Sequence, residues 1–567
     1  MFIKTTKSKN YEYINLVESY RENGVTKHKV LYNFGRRDLM KDDKMFINMV
    51  KKLCEIAEIE TSDERKTDFD SCSEATMLNY GYIAYAQLWE ELGIDNCIKK
   101  IQNKSKIQFS LSETTFLMAV QHLLQPRSKY STYEHQNKYY EMKEIELQHL
   151  YRTLDKLCDE KEYLETELFQ ENYKVNNQKI DVVFYDVTTF AFESVNADEF
   201  KSFGYSKDCK FNEVQVVMGL LIDTNGMPVG YELFPGNTFE GKTIVNSIKK
   251  LKENFGINRV IVVADRGLNN KENLNMLKES GYDYIVASKI KIMNKKIQNK
   301  IFDETGYINL QTTEGNVFRY KAIEYTNIFT DENGIIHELE ENLIVNFSEK
   351  RAKKDVSDRK RLIEKAKKML EKPESIKAAN KRGGKKYLHN ITKHTSDWTL
   401  DEEKILKDER FDGYYGIQTS DKNLSPNEVM DAYHTLWKIE ESFRIMKSTL
   451  EVRPVFHWTP KRIKGHFVMC FLSFLMERKL EMILNDEKKD YLEVSPTRIQ
   501  EALNSMQLAA VTLNNEEVYI KTKNPLLGNQ IFKKLKLKIP KNISKKEELE
   551  AYLKIKKKKS WGQLSLF

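Results

Sequence analysis

Apolar and polar positions alternate over the first forty residues. Tyr11–Glu18 and Thr26–Asn33 read as two strands flanking an Arg-Glu-Asn-Gly turn, Arg21 to Gly24, which is a hairpin signal. From about 41 to 175 the period becomes helical. A capping-type start at Leu111-Ser112-Glu113-Thr114 leads into Phe116, Leu117, Val120, Leu123 and Leu124, and Pro126 ends that helix. Residues 143–172 form another charged, Leu-bearing helical stretch. At 178 the texture changes. Ile180–Tyr185 is a strand ending at Asp186, Val214–Asp223 is a second, closed by a Thr-Asn-Gly-Met-Pro turn, and Val229–Phe234 returns as a third. A helix at about 241–254, a strand Val260–Ala264 ending at Asp265, a helix at 270–280 and a strand Tyr282–Ala287 follow. Three strands in a meander followed by alternating α and β predict a mixed α/β layer.

Between 290 and 424 that rhythm stops. Tyr307–Gln311, Asn316–Tyr325 and Leu343–Phe347 suggest a β-rich insertion that also holds a basic helix, 349–372, and a Gly383-Gly384 break. A long helix at 426–450 restarts the regular pattern, and beyond 480 the chain is helical in patches and increasingly Lys-rich. The expected divisions are an N-terminal hairpin and helix (1–70), a helical region (71–177), a core in two parts (178–289 and 425–480) around the insertion (290–424), and a tail (481–567). A chain of 567 residues has room for about three or four such domains.

Composition narrows the class. With 40% hydrophobic and 31% charged residues the chain has material for real cores, which excludes wholesale disorder. Its longest nearly uninterrupted apolar stretch, Phe467 to Met476, is far short of the roughly 18 residues that span a bilayer. The N-terminus has no apolar signal core, so a cytoplasmic location is expected. The six cysteines are scattered without a CxxC pair, and neither a disulfide framework nor a zinc ribbon is readable. Net charge is +8, unevenly spread: residues 521–567 hold 14 Lys and 3 Glu, and residues 350–386 hold 16 Lys+Arg against 5 acids. One such run is an ordinary solvated helix face; two, on a chain otherwise acidic, point to a polyanion partner.

Candidate chemistry lies in three carboxylates. Asp186 and Asp265 close apolar strands, and ligand sites of α/β sheets gather at strand ends. The helix 426–450 offers a third. At about 100° per residue, Ala432, Leu436, Ile439, Phe443, Met446 and Leu450 form one apolar stripe. Tyr433, Glu440, Arg444 and Lys447 fall within about 60° on the adjacent face, while Glu441 is turned about 100° away from Glu440, toward solvent. Glu440 thus stands between core and site, with cations and a phenol suited to phosphate beside it. The alternative is a surface face salt-bridged at i,i+4 and i,i+7.

These residues resemble those of the DDE transposases of bacterial insertion sequences, in the branch whose signature is Tyr-x2-Arg-x3-Glu-x6-Lys. The signature reads here Tyr433-x2-Leu436-x3-Glu440-x6-Lys447, with Leu in the Arg position. The flanks YDVTTFAFES, GYSKD (204–208), ELFPGNTFEGKT, ADRG and FRIMKSTLEVRPVFHWTPKRIKGHF add to the likeness, which covers roughly 180–480. The resemblance implies a ribonuclease-H-like, retroviral-integrase-like core interrupted by a β-rich insertion. It implies Asp186, Asp265 and Glu440 as catalytic metal ligands for two Mg²⁺ ions, with Mn²⁺ as substitute. Tyr433, Arg444, Lys447 and Lys207 would contact DNA phosphates. The partners implied are double-stranded DNA, as the element's terminal inverted repeats and the target, and a second copy of the chain on that DNA, at the bacterial nucleoid.

Two other readings stand beside this one. Gly236-Asn-Thr-Phe-Glu-Gly-Lys-Thr243 matches the P-loop pattern GxxxxGK[ST], which would make the chain an NTPase, although the Thr-Asn-Gly-Met-Pro turn makes its strand antiparallel to its neighbour. A catalytically inactive DNA-binding protein is the other. Finally, Gln563-Leu564-Ser565-Leu566-Phe567 resembles the short peptide by which bacterial polymerases and repair proteins dock on the replicative sliding clamp. Gln563, Leu564, Leu566 and Phe567 are its candidate anchors, on a Lys-rich tether.

Overall fold

The computed structural model describes residues 1–57, 74–174, 182–192, 196–204, 212–238, 243–244, 247, 253, 255, 260–311, 317–331, 334–371, 376, 383–391, 398–452, 457–485, 494–513 and 516–556. The chain divides into two compact units, Met1–Ala75 with Val511–Val518, and Thr76–Ala510 with Tyr519–Phe567.

In the smaller unit, β1 (Phe2–Ser8), β2 (Tyr11–Glu22) and β3 (Val25–Arg36) form a three-stranded antiparallel sheet in that order. Asn23 and Gly24 both take positive φ, 51° and 79°. This is the twist that a two-residue hairpin turn demands, and Asn-Gly supplies it at low steric cost. β1 escapes the sequence reading because Phe2 and Ile3 are its only apolar residues. Helix α1 (Lys44–Ile56) follows, its first turn capped by the Asp43 side chain accepting from the Phe46 N–H, and Phe46 meets Phe34 of β3 edge-on at 5.6 Å.

The larger unit opens with β4 (Thr76–Asn79) and a helical stretch that includes α2 (Leu111–Leu124), capped by Ser110, and α3 (Leu147–Asp159). A nine-stranded sheet follows, built from β5 (Val182–Ala191), β6 (Gln215–Ile222), β7 (Pro228–Pro235), β8 (Ile261–Ala264), β9 (Asp283–Ser288), β10 (Ile308–Gln311), β11 (Val317–Thr330), β12 (Ile336–Ser348) and, after the basic helix α4 (Glu349–Leu370) and the small ladder β13 (Leu388–Asn390) with β14 (Trp398–Leu400), β15 (Tyr414–Thr419). The order across the sheet is β10-β11-β12-β15-β9-β8-β5-β6-β7. Only β5–β8 and β8–β9 are parallel; the remaining pairs are antiparallel. Among the described residues of 290–424, β10, β11, β12 and β15 lengthen the main sheet outward from β9.

The sheet buries both faces. Along β5 the residues Val183, Tyr185 and Val187 enter one apolar cluster, and Phe184 and Phe190 enter the other. The second face is covered by helices that follow the insertion: α5 (Pro426–His434), α6 (Trp437–Arg444) and α7 (Pro460–Asn485). α7 is buried almost all round. It passes so close to α3 that a Cβ on Gly465 would stand 1.9 Å from the Leu154 carbonyl oxygen, so no larger residue fits there. It contains the apolar run Phe467–Met476, and among the described residues no helix is long and apolar enough to cross a membrane. After α8 (Pro496–Asn504), β16 (Gln507–Leu513), β17 (Glu516–Lys521) and β18 (Ile543–Lys545) form a sheet in the order β18-β17-β16-β4. The composition of the tail predicts only helical patches; its strands are short and alternate weakly.

The predicted helix 426–450 is broken. Leu436, Lys438 and Ile439 donate to carbonyls three residues back, those of Tyr433, Thr435 and Leu436. The α-ladder is thus replaced by tight 3₁₀ bonds between α5 and α6. Beyond α6, Ile445–Thr449 forms a wide turn in which the Leu450 N–H reaches the Ile445 carbonyl. The apolar stripe nevertheless forms as expected: Leu436, Ile439, Phe443, Met446 and Leu450 are buried in the core and Ala432 packs against it.

One buried acid on α7 sets a pH dependence. Burial and the neighbouring Glu481 push the Glu477 carboxyl up to about 8, against the opposing hydrogen bond that the Tyr85 hydroxyl donates to it at 2.6 Å. The folded pKa lies above the unfolded one, so between about pH 4.5 and 8 the native chain holds the extra proton and stability falls as pH rises. Thermal unfolding of Glu477→Gln should lose most of this slope; an unchanged slope between pH 5 and 8 would contradict the assignment.

Candidate active site

β5 and β8 run side by side, with Val182 opposite Ile261, Val183 opposite Val262 and Phe184 opposite Val263. The paired register ends at Phe184 and Val263, two residues before Asp186 on β5 and before Asp265 just past the end of β8. Alternation sets their direction. Ile261 and Val263 share the face of Phe184 and Phe190, so Asp265 and Asp186 both project toward the face on which α6 packs. β8 ends at Ala264, as its apolar run predicts, whereas β5 continues to Ala191. Asp186 is therefore not the end of its strand. It stands where the parallel partner stops and β6 alone carries β5 onward, with Asp186 opposite Leu220. Val187-Thr-Thr-Phe is as β-prone as the residues before the acid, and the polar Asp interrupts the burial without interrupting the strand.

Both aspartates are half-buried and anchored by the backbone. Asp186 Oδ1 accepts from the Val187 N–H and Asp265 Oδ1 from the Gly267 N–H, each at 2.7 Å. Glu440 lies in the first turn of α6 and is exposed. Tyr433, at the end of α5, lies among these groups. Its hydroxyl pKa is raised first by burial and then by the negative charges of Asp265 and Glu440, with Arg266 opposing. Lys447 lies with its Nζ 5.8 Å from the centre of the Phe190 ring, over the strand that carries Asp186.

Other expectations fare differently. Glu441 does not face solvent: it is mostly buried and lies 3.3 Å from the buried Arg478 of α7. The helix packs on α7 on that side, so the position 100° from Glu440 meets protein rather than water. Arg444 is exposed and lies 3.4 Å from Glu441. Leu436, in the Arg position of the signature, is buried in the core. Lys207 and the tail residues Gln563, Leu564, Leu566 and Phe567 lie outside the described residues. Among the described residues no three His, Cys, Asp or Glu side chains are gathered closely enough to grip one metal ion. The donor chemistry still fits a hard divalent cation, since the three side chains on this face offer oxygen alone.

The P-loop reading fails on topology. β7, which would feed the loop, is an edge strand antiparallel to β6, and Thr243 is fully buried with its hydroxyl accepting from the Tyr185 hydroxyl at 2.8 Å. A P-loop strand is central and parallel, and its Ser/Thr must reach a metal-bound phosphate.

A feature the sequence reading missed lies beside Asp265. A cleft of about 400 Å³ is lined by Arg266, Lys289, Arg351, Arg359 and Lys386. Arg359 is neutralised by Asp412 and Lys386 by Asp408, while Arg351 stacks over Tyr415 at 4.8 Å. The basic run 350–386 is plain in the sequence; that it folds back to the end of β8 depends on β12 and β15 joining the sheet.

The sequence model of the Transposase DDE domain matches residues 177–476, more than half of the 567. The chain belongs to the DDE transposases. A second match, to the IS1634 family transposase N-terminal domain, covers residues 3–64 and marks it as the transposase of an insertion-sequence element. Proteins of this family generally use divalent metal ions. No curated protein matches this transposase. Among solved structures it is similar to piggyBac transposase in a synaptic complex with hairpin DNA, at 8% identity and a TM-score of 0.34, over 75% of this chain and 78% of that one. It is also similar to Mos1 transposase in a paired-end complex with the left transposon end, at 13% identity and a TM-score of 0.14, over 32% of this chain and 60% of that one. Both likenesses are too loose to transfer geometry to this transposase.

Proposed function

We propose that this transposase cuts DNA at the ends of its element by metal-dependent phosphodiester hydrolysis and joins the freed 3′-hydroxyl to target DNA, at Asp186, Asp265 and Glu440. The observation that carries the reading is the parallel pairing of β5 with β8, whose last pair, Phe184 with Val263, stands two residues before each aspartate. The strand order β7-β6-β5-β8-β9, with β5, β8 and β9 parallel and β6 and β7 antiparallel, supports a ribonuclease-H-like core. Two divalent ions, Mg²⁺ or in its place Mn²⁺, would activate the attacking oxygen and stabilise the leaving one. The two aspartates give that pair a rigid floor, because each is fixed by its strand and by a backbone N–H. Glu440 comes from a helix whose start is set by the break at residues 435–436, so small shifts of α6 adjust its reach. Nothing in this chemistry needs a covalent nucleophile from the protein.

Tyr433 and Lys447 bind the phosphates of the element end beside the carboxylates, with Lys207 as a further contact. Arg444, one turn beyond Glu440 on α6 and exposed, is a further phosphate contact. Lys447→Ala should weaken end binding across sequences and lower the slope of log affinity against log salt by roughly one. A slope equal to the wild-type value would remove Lys447 from the DNA contact. The helical region 71–177 and the basic helix α4 would guide the duplex, and two copies would work together on paired ends. The tail peptide Gln563–Phe567 would dock on the replicative sliding clamp, drawing insertion to replicating DNA. A peptide of the last ten residues should bind purified clamp with a micromolar Kd or better, and absence of binding by titration would end that part of the account.

A further inference from the structure

The β2–β3 hairpin outgrows its sheet. β1 pairs with β2 only from Tyr11 to Val17, so Glu18–Glu22 and Val25–Lys29 continue as a two-stranded ribbon closed by the Asn23-Gly24 turn. Five residues a strand make it about 16 Å long. Every residue from Glu18 to Asn33 is exposed. A ribbon of this length with no buried side chain gains nothing from the core it leaves, so its exposed side chains invite a partner.

The two faces of the ribbon differ in chemistry. Opposed residues share a face, and the pairs Arg21–Thr26 and Ser19–His28 form one of them. That face has a guanidinium, an imidazole and two hydroxyls and no carboxylate; the Ser19 hydroxyl and His28 Nδ1 lie 3.2 Å apart. The acids, Glu18 and Glu22, are both on the other face, opposite Lys29 and Val25, and Lys27 Nζ bonds Glu22 at 2.7 Å. Residues 1–57 hold 12 Lys+Arg against 7 acids, so the ribbon springs from a basic base.

From this geometry we infer that the ribbon enters the major groove of DNA and reads it with Arg21, Thr26, Ser19 and His28. The major groove admits a two-stranded β-ribbon, and Arg is the side chain that most often reads guanine there, through O6 and N7. A carboxylate-free face can approach base edges and phosphates without repulsion, while the ion-paired face is left to solvent. The inference rests on the reading that this chain acts on its element's ends, and it adds which surface distinguishes those ends from other DNA.

The test uses the full-length protein with a duplex carrying the terminal repeat that flanks the coding sequence and an unrelated duplex of equal length. Arg21→Ala should cut the preference for the repeat about tenfold and leave binding to the unrelated duplex nearly unchanged. Ser19→Ala combined with His28→Ala should act the same way, and Tyr20→Ala, on the other face, should do neither. Methylation of guanine N7 in the repeat should block the wild-type protein at one cluster of bases, and Arg21→Ala should lose that block. If the wild type prefers and cuts the repeat while Arg21→Ala and the Ser19/His28 pair keep the full preference, the ribbon is not the reader. If the wild type neither prefers nor cuts it, the reading of the whole chain fails instead.

Discussion

Asp186→Asn and Asp265→Asn should each lower the rate of end cleavage by about 10³-fold or more, and should leave binding of the end duplex within a few-fold of the wild type. The size follows from the task of the group. Neutralising one of two carboxylates that share a metal pair removes a ligand and a charge where several kcal/mol of transition-state stabilisation arise, and each ~1.4 kcal/mol is tenfold in rate. Asparagine keeps the shape and a carbonyl oxygen, so the Val187 and Gly267 N–H groups keep an acceptor and the strands keep their register. Single-turnover cleavage of a labelled end, with binding measured in parallel, separates the two effects. Equal loss of binding and cleavage would mean that the aspartates hold the fold or the DNA rather than the reaction.

Arg478→Met lowers stability by about 3–5 kcal/mol, the range for removing one partner of a buried ion pair. Arg478 is 7% exposed; its Nη1 lies 2.7 Å from Glu481, itself 8% exposed, and 3.3 Å from Glu441, and its Nε donates to the Gly226 carbonyl. Without it Glu481 loses its ion pair at 2.7 Å in a buried site, and Glu477 is a neighbour already pushed toward protonation. The pair Arg478→Met with Glu481→Leu should recover much of the loss, because the remaining site is apolar and Glu441 can turn to Arg444. Denaturation of the single and double variants checks this; a single variant as stable as the wild type would mean that the cluster contributes nothing net.

The core was largely legible because its signals are local. Val260–Ala264 is apolar and ends at a charge, and the meander from 214 to 234 is punctuated by Asn-Gly and Pro. The stripe from Ala432 to Leu450 follows helical spacing and does face the core. What the sequence hid is decided by contacts between distant segments. The length of β5 beyond Asp186 depends on β6, which offers Leu220 as its partner there. The burial of Glu441 depends on Arg478, 37 residues on in α7. The break at Leu436 has no Gly or Pro to announce it. The tail strand β16 pairs with Thr76–Asn79, more than 400 residues earlier, and short segments so far apart leave no periodic trace.

The most direct test of the proposed site compares Glu440→Gln with Glu441→Gln in a cleavage and strand-transfer assay on end DNA, run in Mg²⁺ and in EDTA without nucleotide. Wild-type protein should cut and join in Mg²⁺ and stop in EDTA, Glu440→Gln should be inactive in both, and Glu441→Gln should retain activity in Mg²⁺ with a lower unfolding temperature. Full activity of Glu440→Gln in Mg²⁺, or cleavage by the wild type that persists in EDTA, would contradict the assignment of Asp186, Asp265 and Glu440 to one metal-dependent site.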